Sequence, residues 1–488
     1  MKTNENHRQA DVAKERSLYA FAIAFVAAVG GFLFGFDLGL IGAANVYLKD
    51  QFQLSDAELG FATASAVLGC VFGPALGGWL CDAVGRKRTM LVASGLLAVS
   101  ALLTAVPDPV PGMDKEATLF VFNLFRFVGG LGVGLCSIAS PMYIAEVAPP
   151  RKRGRLGMMY QLAIVTGHIV APVVCYLIVV LLPKTVGVSD DPWQQPWRYM
   201  FASETLFVVL FVVFVLRLPR SPRWLAQKGR FDEALDVLTK VDGLEYAQQE
   251  MKEIKVSLQQ EPGGWGELFG PGIRFALLIG ILLAFFNNWT GWSVIGGYIP
   301  MLFEMSGLED RARAILQFAV TYGFMGLMTL VSLLLMDRVG RRPLWLIASV
   351  LMAGITCLTG FVFHYKLSGP MVLLVVILCT VPHGLALGGI PWLMMSELFP
   401  TRVRAKAVSI TTTFLWIAIF GGAYLFPTLT TASRNLVGSV GGAFWLFTIV
   451  CGLSFLFGLT LMPETKGRTL EEIAQSWTKK RPNLTTHQ

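Results

Sequence analysis

Three ionisable residues lie inside otherwise apolar stretches of this 488-residue sequence: Asp37, Arg126 and Glu204. A charge in an apolar environment is costly unless it is paired, so such residues are rare and usually functional. Burial disfavours the ionised form of a carboxyl group, whereas a nearby guanidinium favours it. If the two groups move relative to each other, the carboxyl group can bind and release a proton. The sequence therefore predicts a proton-coupling site, with a static neutralising pair of Asp37 and Arg126 as the alternative.

A second set of charged residues stands at the ends of apolar runs, in patterns that occur twice. An Asp precedes Gly-basic-basic by three positions at 82–87 and at 337–342. A Glu precedes an Arg by seven positions at 146–153 and at 397–404. A third pair of polar segments begins with proline, at 219–224 and at 463–468. The same order at nearly constant offset indicates two related halves.

These repeated charges predict a gate, because a carboxylate and a basic residue can join neighbouring helix ends in one conformation and separate in another. Asp82 or Glu146 would pair with Arg153. An exposed pair contributes only about 0–1 kcal/mol, so a network at a helix interface is required. The alternative is that the basic residues only fix the membrane topology. The predicted gating residues are Asp82, Arg86, Glu146, Arg153, Asp337, Arg341, Glu397 and Arg404.

The elements that position these residues follow from composition: 54% of the residues are hydrophobic, 15% are charged and the mean hydropathy is +0.59. Soluble chains carry about 25% charged residues, so a soluble enzyme, a disordered chain and a secreted disulfide scaffold are excluded. The fold class is an all-α membrane protein, because each apolar run can cross a bilayer as a helix. The twelve predicted spans are 18–48, 57–81, 88–106, 118–146, 156–182, 197–217, 271–303, 313–336, 343–364, 371–398, 407–431 and 439–462.

The polar segments predict the domain organisation and the orientation. Roughly three quarters of the 40 Lys and Arg residues fall on the side that holds both termini and the central linker, which the positive-inside rule places in the cytoplasm. The net charge of +8 therefore reflects topology rather than nucleic-acid binding. We expect a monomeric protein of the plasma or bacterial inner membrane. Its predicted parts are tail 1–17, half 18–217, helical linker 218–270, half 271–462 and tail 463–488.

Several chemistries are not indicated by the sequence. The seven cysteines lie in or beside apolar runs without metal-ligand spacing, which is typical of packing residues. No phosphate-binding GxxxxGK[ST] pattern is present, which argues against transport driven by ATP hydrolysis on this chain. No nucleophile–base pair points to an enzyme. We therefore expect no cofactor, no metal and no catalytic residue.

The ordered motifs resemble those of a known family, the sugar porter family of the major facilitator superfamily, and most of all its bacterial sugar/proton symporters. This resemblance implies alternating access around a central site between two six-helix halves. It also implies that Asp37 binds the transported proton and that Arg126 tunes its binding. The segments that carry the resemblance are 31–37, 82–88, 126–134, 221–224, 337–342, 391–392 and 463–468.

The resemblance also implies a substrate site, although this chain departs from the family there. Asn287 and Asn288 stand in place of paired glutamines, Ser293 in place of an asparagine, and His168 in place of a glutamine. Leu415 and Ile419 replace amide-bearing positions. A sugar pocket needs amides and aromatic platforms, so these departures favour a larger or less hydroxylated solute. The predicted substrate-binding residues are Gln161, His168, Asn287, Asn288, Ser293, Tyr298, Trp392 and Trp416.

The function predicted from these features is proton symport of a sugar or sugar-like polyol across the lipid bilayer. His168 could bond a hydroxyl, pair with an acidic substrate, join the proton path or only pack. One alternative is an uncoupled facilitator, or a porter of a less polar or anionic organic solute. A second is a transporter-like receptor, for which the short tails leave little room for a signalling domain.

Overall fold

A computed structural model describes residues 2–107, 113–181, 195–259, 264–270, 272–308, 310–367, 369–399 and 403–466. Within these ranges, the side chains of 2–13, 150–155, 257, 259, 333, 337, 396 and 405 are not described. Every regular element in the described residues is a helix. Eleven of these helices are long and apolar enough to cross a bilayer, and one shorter apolar helix lies where the seventh span was predicted. The predicted all-α membrane fold is confirmed.

The N-terminal helices follow the predicted runs closely, usually extending them by a few residues into the flanking polar segments. Helix α1 begins at Lys2, so the predicted polar tail is continuous with the first span. Four short helices occupy the predicted linker, including the two segments at 231 and 251 that were expected to be helical. The bounds are α1 Lys2–Phe52, α2 Asp56–Val84, α3 Arg86–Ala105, α4 Lys115–Val147, α5 Pro150–Leu181, α6 Pro196–Arg217, α7 Pro222–Gln227, α8 Phe231–Asp242, α9 Leu244–Gln259 and α10 Trp265–Leu268.

The C-terminal helices differ from the prediction at two places, because the seventh and tenth runs are interrupted. The seventh run breaks at Gly291, whose positive φ of 119° suits a residue without a side chain. The tenth run contains a π-helical stretch, which we call the π segment, at His383–Leu387. The bounds are α11 Ile273–Trp289, α12 Trp292–Gly296, α13 Ile299–Met305, α14 Arg311–Val339, α15 Arg341–His364, α16 Pro370–Pro382, α17 Ile390–Glu397, α18 Arg404–Val437 and α19 Gly441–Thr460.

The chain forms two compact units, and the first comprises Met1–Leu54 and Phe61–Glu261. Its helices approach closely where glycines remove the side chain. A Cβ placed on Gly130 of α4 would stand 1.7 Å from the carbonyl oxygen of Ala66 on α2, and one on Gly35 of α1 would stand 1.9 Å from that of Ile164 on α5. Small residues at such spacing allow membrane helices to pack backbone against backbone. The spacing of glycines in the sequence thus has a packing role in this unit.

The second unit comprises Ser55–Gly60 and Pro262–Gln488. Hydroxyl groups join α15 to α19 in its interior: the oxygen atoms of Ser349 and Ser454 are 2.9 Å apart, and those of Thr356 and Thr448 are 3.0 Å apart. Interhelical hydrogen bonds of this kind stabilise helix pairs where apolar burial gives little driving force.

The close approach at Gly130 gives a stability prediction. Gly130→Ala should lower the free energy of unfolding by about 1–3 kcal/mol, because the added methyl group overlaps the backbone of α2. Gly95→Ala on α3 is the matched control, since a Cβ there meets nothing within 4 Å and alanine favours the helix by about 0.5–1 kcal/mol. Thermal unfolding of both variants in detergent measures the difference. Equal melting temperatures would contradict the packing inferred for α2 and α4.

Candidate functional site

The structure brings Asp37 of α1 and Arg126 of α4 together as a buried ion pair, in which an Nη1 hydrogen of Arg126 is donated to Oδ1 of Asp37. Both side chains are 1% exposed. Oδ2 of Asp37 and the Nε and Nη2 atoms of Arg126 have no hydrogen-bond partner among the described residues. The pair therefore neutralises two buried charges but leaves part of their hydrogen-bonding capacity unused. Buried donors and acceptors without partners destabilise a fixed structure. In a structure that rearranges, the same groups are available to form new hydrogen bonds.

Glu204 of α6 is the third member of this group, which we call the buried triad of Asp37, Arg126 and Glu204. Its carboxyl group lies close enough to Asp37 and Arg126 for their charges to act on it. The guanidinium carbon of Arg126 also lies 5.2 Å from the ring centroid of Phe201, one helical turn before Glu204. Two carboxylates facing one guanidinium would leave a net negative charge in an apolar interior, and a proton neutralises it. The triad is therefore a candidate proton-binding site.

A second charged group lies where α2 and α4 end and α6 leads into the linker, an end of the unit that we call the linker face (residues 82–86, 146 and 217–224). Arg86 is buried there, with its Nη2 atom 2.8 Å from Oε1 of Glu146 and its Nη1 atom 3.3 Å from Oδ1 of Asp82. Ser221 donates its hydroxyl to the other oxygen of Glu146. Arg86 thus joins two helix ends, and Ser221 ties the linker to the same carboxylate.

The structure shows a pairing at the linker face that the sequence analysis did not specify. Arg86 pairs with both carboxylates. The reason is local: Gly85 has a positive φ of 92°, so the chain turns sharply and Arg86 begins α3 beside the end of α2. The side chain of Arg153, the predicted partner of Asp82 or Glu146, lies outside the described set, so that pairing stays a prediction. Ser221 was not predicted as a gating residue, although it stands in a segment that the repeat had singled out.

The second unit contains a corresponding charged group. Arg341 lies 3.4 Å from Glu397, measured from Nη2 to Oε1. Glu464 accepts the backbone N–H groups of Arg341 and Arg342 at 3.2 and 3.0 Å, so it caps the start of α15. Arg404 donates its Nε hydrogen to the carbonyl of Phe399 at 3.1 Å. The predicted gating residue Asp337 lies among the side chains outside the described set, and the capping role of Glu464 was not predicted.

Two predicted substrate residues lie on α5 of the first unit. Gln161 and His168 are seven residues apart, which places them on the same side of the helix, and both are partly buried. Nδ1 of His168 lies 3.0 Å from the carbonyl oxygen of Ile164 on its own helix. The ring also meets Phe34 edge-on, with centroids 6.3 Å apart. His168 is therefore held both by the backbone of its own helix and by an aromatic ring of α1.

The four polar substrate residues predicted in the second unit surround the break in the seventh run. Asn287 donates its amide hydrogens to the carbonyls of Leu387 and Gly388, at 2.7 and 3.1 Å. These carbonyls lie at the end of the π segment, so Asn287 stabilises irregular backbone in an apolar interior. Ser293 donates to the carbonyl of Asn287 at 3.4 Å, and Tyr298 donates to that of Ala423 at 2.5 Å. Each of these three side chains has a structural partner.

Asn288 differs from its neighbours. Its amide nitrogen donates to the carbonyl of Ala284 at 3.1 Å, but its Oδ1 atom is buried and has no hydrogen-bond partner among the described residues. A buried acceptor that lacks a partner in the protein is suited to accept a hydrogen bond from a solute hydroxyl. Asn288 thus keeps a buried acceptor for which the described residues offer no donor.

Aromatic residues complete this part of the second unit. Trp392 of α17 is half-buried and packs against a small apolar cluster of Ala284, Met395 and Leu415. Ile419 packs against the same cluster. Trp416 is fully buried on α18, so its ring offers no exposed face. Trp392 therefore remains the candidate aromatic platform for the solute. Leu415 and Ile419, which replace amide-bearing residues of the family, belong to the apolar cluster around it.

Arg86 allows a matched stability prediction, because it contacts one buried and one exposed carboxylate. Glu146→Gln should lower the free energy of unfolding by about 3–5 kcal/mol, since it removes the buried charged partner of a buried guanidinium. Asp82→Asn should cost only about 0–1 kcal/mol, because the Asp82 side chain is 68% exposed. Thermal or denaturant unfolding of the two variants checks this order. A larger loss for Asp82→Asn would show that the buried pair is not the stabilising contact.

Comparison with known proteins agrees with this architecture. Residues 23–477 match the family of sugar (and other) transporters. The chain is 36% identical over 469 residues to the arabinose-proton symporter of Bacillus subtilis, covering 94% of this chain and 96% of that protein. It is 33% identical over 484 residues to the D-xylose-proton symporter of Escherichia coli, with 94% and 96% covered.

A solved structure shows the same likeness in three dimensions. The xylose transporter XylE from E. coli, in a partially occluded inward open conformation, superimposes with a TM-score of 0.81 at 31% identity, covering 93% of this chain and 100% of that one. The match extends over both six-helix halves, which confirms the predicted major facilitator fold. This chain belongs to the sugar transporter family and is a multi-pass integral membrane transporter.

Proposed function

We propose that this protein is a proton symporter that carries a sugar or a sugar-like polyol by alternating access. The observation that carries the proposal is the buried triad, in which one guanidinium faces two carboxyl groups. A facilitator that moves a neutral solute has no need of such a costly arrangement. The similarity to an arabinose-proton symporter and a D-xylose-proton symporter supports the same function.

The triad suggests how a proton is linked to helix movement. When Asp37 is ionised, its attraction to Arg126 holds α1 against α4. Protonation of Asp37 removes that attraction, and the nearby carboxyl group of Glu204 then remains to neutralise Arg126. The contact between α1 and α4 is thereby weakened without leaving an unpaired buried charge. This is how proton uptake would favour one conformation over the other.

We propose that the predicted substrate-binding residues have different roles: some contact the solute, and others position the helices. The free Oδ1 of Asn288 accepts a hydroxyl, and Trp392 provides an apolar platform for the sugar ring. Gln161 and His168 supply further hydrogen bonds from the first unit. Asn287, Ser293 and Tyr298 act mainly by positioning the broken helices, because their donors are already used by backbone carbonyls.

The gating residues complete the cycle. We propose that the linker face and both termini are cytoplasmic, and that Arg86 with Glu146 and Arg341 with Glu397 separate when the cytoplasmic side opens. The parts predicted at 1–17, 18–217, 218–270, 271–462 and 463–488 are proposed as tails, halves and linker. We further propose a monomer of the plasma membrane that acts without catalysis, cofactor, metal or nucleic acid.

The alternatives remain testable by transport itself. An uncoupled facilitator would equilibrate the solute without accumulating it, and a porter of an anionic or less polar solute would show a different preference in a binding screen. A receptor would bind a ligand without moving it. Thermal-shift measurements with pentoses, hexoses, polyols and organic acids identify the solute class on which transport assays are then run.

The triad predicts that Asp37→Asn separates coupling from translocation. Asparagine cannot bind the transported proton, so proteoliposomes with this variant should no longer accumulate the solute under a proton gradient. Counterflow exchange should continue, because it needs no net proton movement. Initial rates of labelled-sugar uptake and of counterflow measure the two activities.

A matched control is available on the same helix. Asp50→Asn changes an exposed aspartate near the end of α1 and should leave both activities unchanged. Accumulation by Asp37→Asn at the wild-type level would contradict the coupling role of the triad.

The two neighbouring asparagines predict opposite outcomes. Asn288→Ala should weaken solute binding about fivefold with little change in stability, because its free acceptor serves the solute. Asn287→Ala should instead lower the free energy of unfolding by about 1–3 kcal/mol, since two carbonyls near the π segment lose their donor. Binding titrations and melting temperatures of both variants distinguish the roles. Unchanged solute affinity in Asn288→Ala would place the pocket elsewhere.

A further inference from the structure

A buried tyrosine in the first unit has an unused hydroxyl group. Tyr160 of α5 is only 8% exposed, and its hydroxyl has no hydrogen-bond partner among the described residues. Its ring lies over Gly31 of α1, where an added Cβ would come within 2.9 Å of it. Phenylalanine would fill this space equally well and would not bury an unpaired polar group. The hydroxyl is therefore unfavourable for stability unless it interacts with something other than the described residues, such as water.

Two further polar side chains flank the same stretch of α1. A Cβ added to Gly30 would stand 2.5 Å from Oγ of Ser140 and 3.4 Å from Sγ of Cys136. Both residues are fully buried on α4, and among the described residues Ser140 donates only to the Sδ atom of Met90, a weak acceptor at 3.6 Å. Tyr160, Ser140 and Cys136, which we call the Tyr160 cluster, thus surround a glycine pair in the interior of one unit.

The position of this cluster along the helices is informative. On α4, Arg126 of the triad, Cys136 and Glu146 of the linker face follow each other at intervals of ten residues. At 1.5 Å per residue, each interval spans about 15 Å along the helix. The Tyr160 cluster therefore lies midway between the proton-binding triad and the charged group at the linker face.

Two buried cysteines of α2 lie near the intervals that separate the Tyr160 cluster from the triad and from the linker face. Cys70 of α2 lies within electrostatic range of Asp37, Arg126 and Tyr160. Cys81, on the same helix, lies within that range of Cys136 and also of Arg86 at the linker face. Cysteine side chains of α2 thus lie near the groups at both ends of this interval, the triad and the end that we propose is cytoplasmic.

We propose that the Tyr160 cluster holds water molecules that conduct the transported proton between Asp37 and the linker face. Buried waters bind where two or more polar groups converge, and a phenol can donate and accept hydrogen bonds at once. On release, the O–H bond of Asp37 breaks and its proton passes to a water. Tyr160 gives its own proton onward as it receives another, so its charge does not change. This inference rests on the proton symport proposed above.

The test uses Tyr160→Phe in proteoliposomes, with a sugar that the wild-type protein transports. The initial rate of gradient-driven uptake should fall about tenfold, because one hydrogen-bonding group of the path is lost. Counterflow exchange and the melting temperature should stay at wild-type values, since exchange moves no net proton and the aromatic packing is kept. Tyr176→Phe is the matched control, because it removes a hydroxyl from the same helix about 24 Å further along.

Each outcome decides between distinct possibilities. Gradient-driven uptake at the wild-type rate in Tyr160→Phe overturns the proton path while leaving the proposed symport intact. An equal loss of uptake and counterflow, with a lower melting temperature, also overturns it, since the hydroxyl would then be structural. Absence of gradient-driven uptake in the wild-type protein overturns the proposed symport and, with it, this path.

Discussion

The cost of a charge in an apolar interior governs the arrangement of the N-terminal unit. Asp37 and Arg126 can be buried only as a pair, so α1 must lie against α4 at the level where both charges meet. Glu204 adds α6 to the same contact. The glycines of α1 contribute to the same packing, because Gly35 lets the backbone of α1 contact that of α5 and the helices around the triad pack closely. Packing and proton chemistry thus depend on the same few positions.

A related constraint acts on the backbone in the C-terminal unit. Carbonyl groups that leave regular helical hydrogen bonding must find donors, since an apolar interior offers none. Asn287 supplies donors at the end of the π segment, and Ser332 donates to the carbonyl of Leu385 within it at 2.7 Å. The amide of Asn287 is therefore committed to structure, while the neighbouring Asn288 retains a free acceptor. Adjacent residues of one type have different roles because only one of them faces the irregular backbone.

The repeated motifs show how similar sequences reach similar but unequal contacts. In each unit an arginine that follows the Gly of the motif meets a glutamate at the end of another helix: Arg86 meets Glu146 at 2.8 Å, and Arg341 meets Glu397 at 3.4 Å. The supporting residues differ, because Ser221 bonds the carboxylate in the first unit and Glu464 caps the helix in the second. The motif specifies the turn and its charges, and the surrounding chain adjusts the strength of the contact.

What the amino-acid sequence determined by itself is the set of spans and the rare charges within them. Helices in an apolar medium are recognisable because length and hydropathy alone decide where they form, and Asp37, Arg126 and Glu204 stand out because charges there are costly. The breaks at Gly291 and in the π segment were not predicted, since a broken helix remains apolar throughout and hydropathy does not report backbone geometry.

Only the tertiary structure decided which side chains are already used. Arg86 was found to hold Glu146, Asn287 was found to bond backbone, and Tyr160 was found to have a hydroxyl without a partner among the described residues. For Arg86 and Asn287 the bonding partner is far away in the sequence. For Tyr160 the relevant fact is that the described residues provide no partner. Residue type fixes what a side chain can donate or accept, but the packing of helices fixes whether that capacity is left for a solute or a proton.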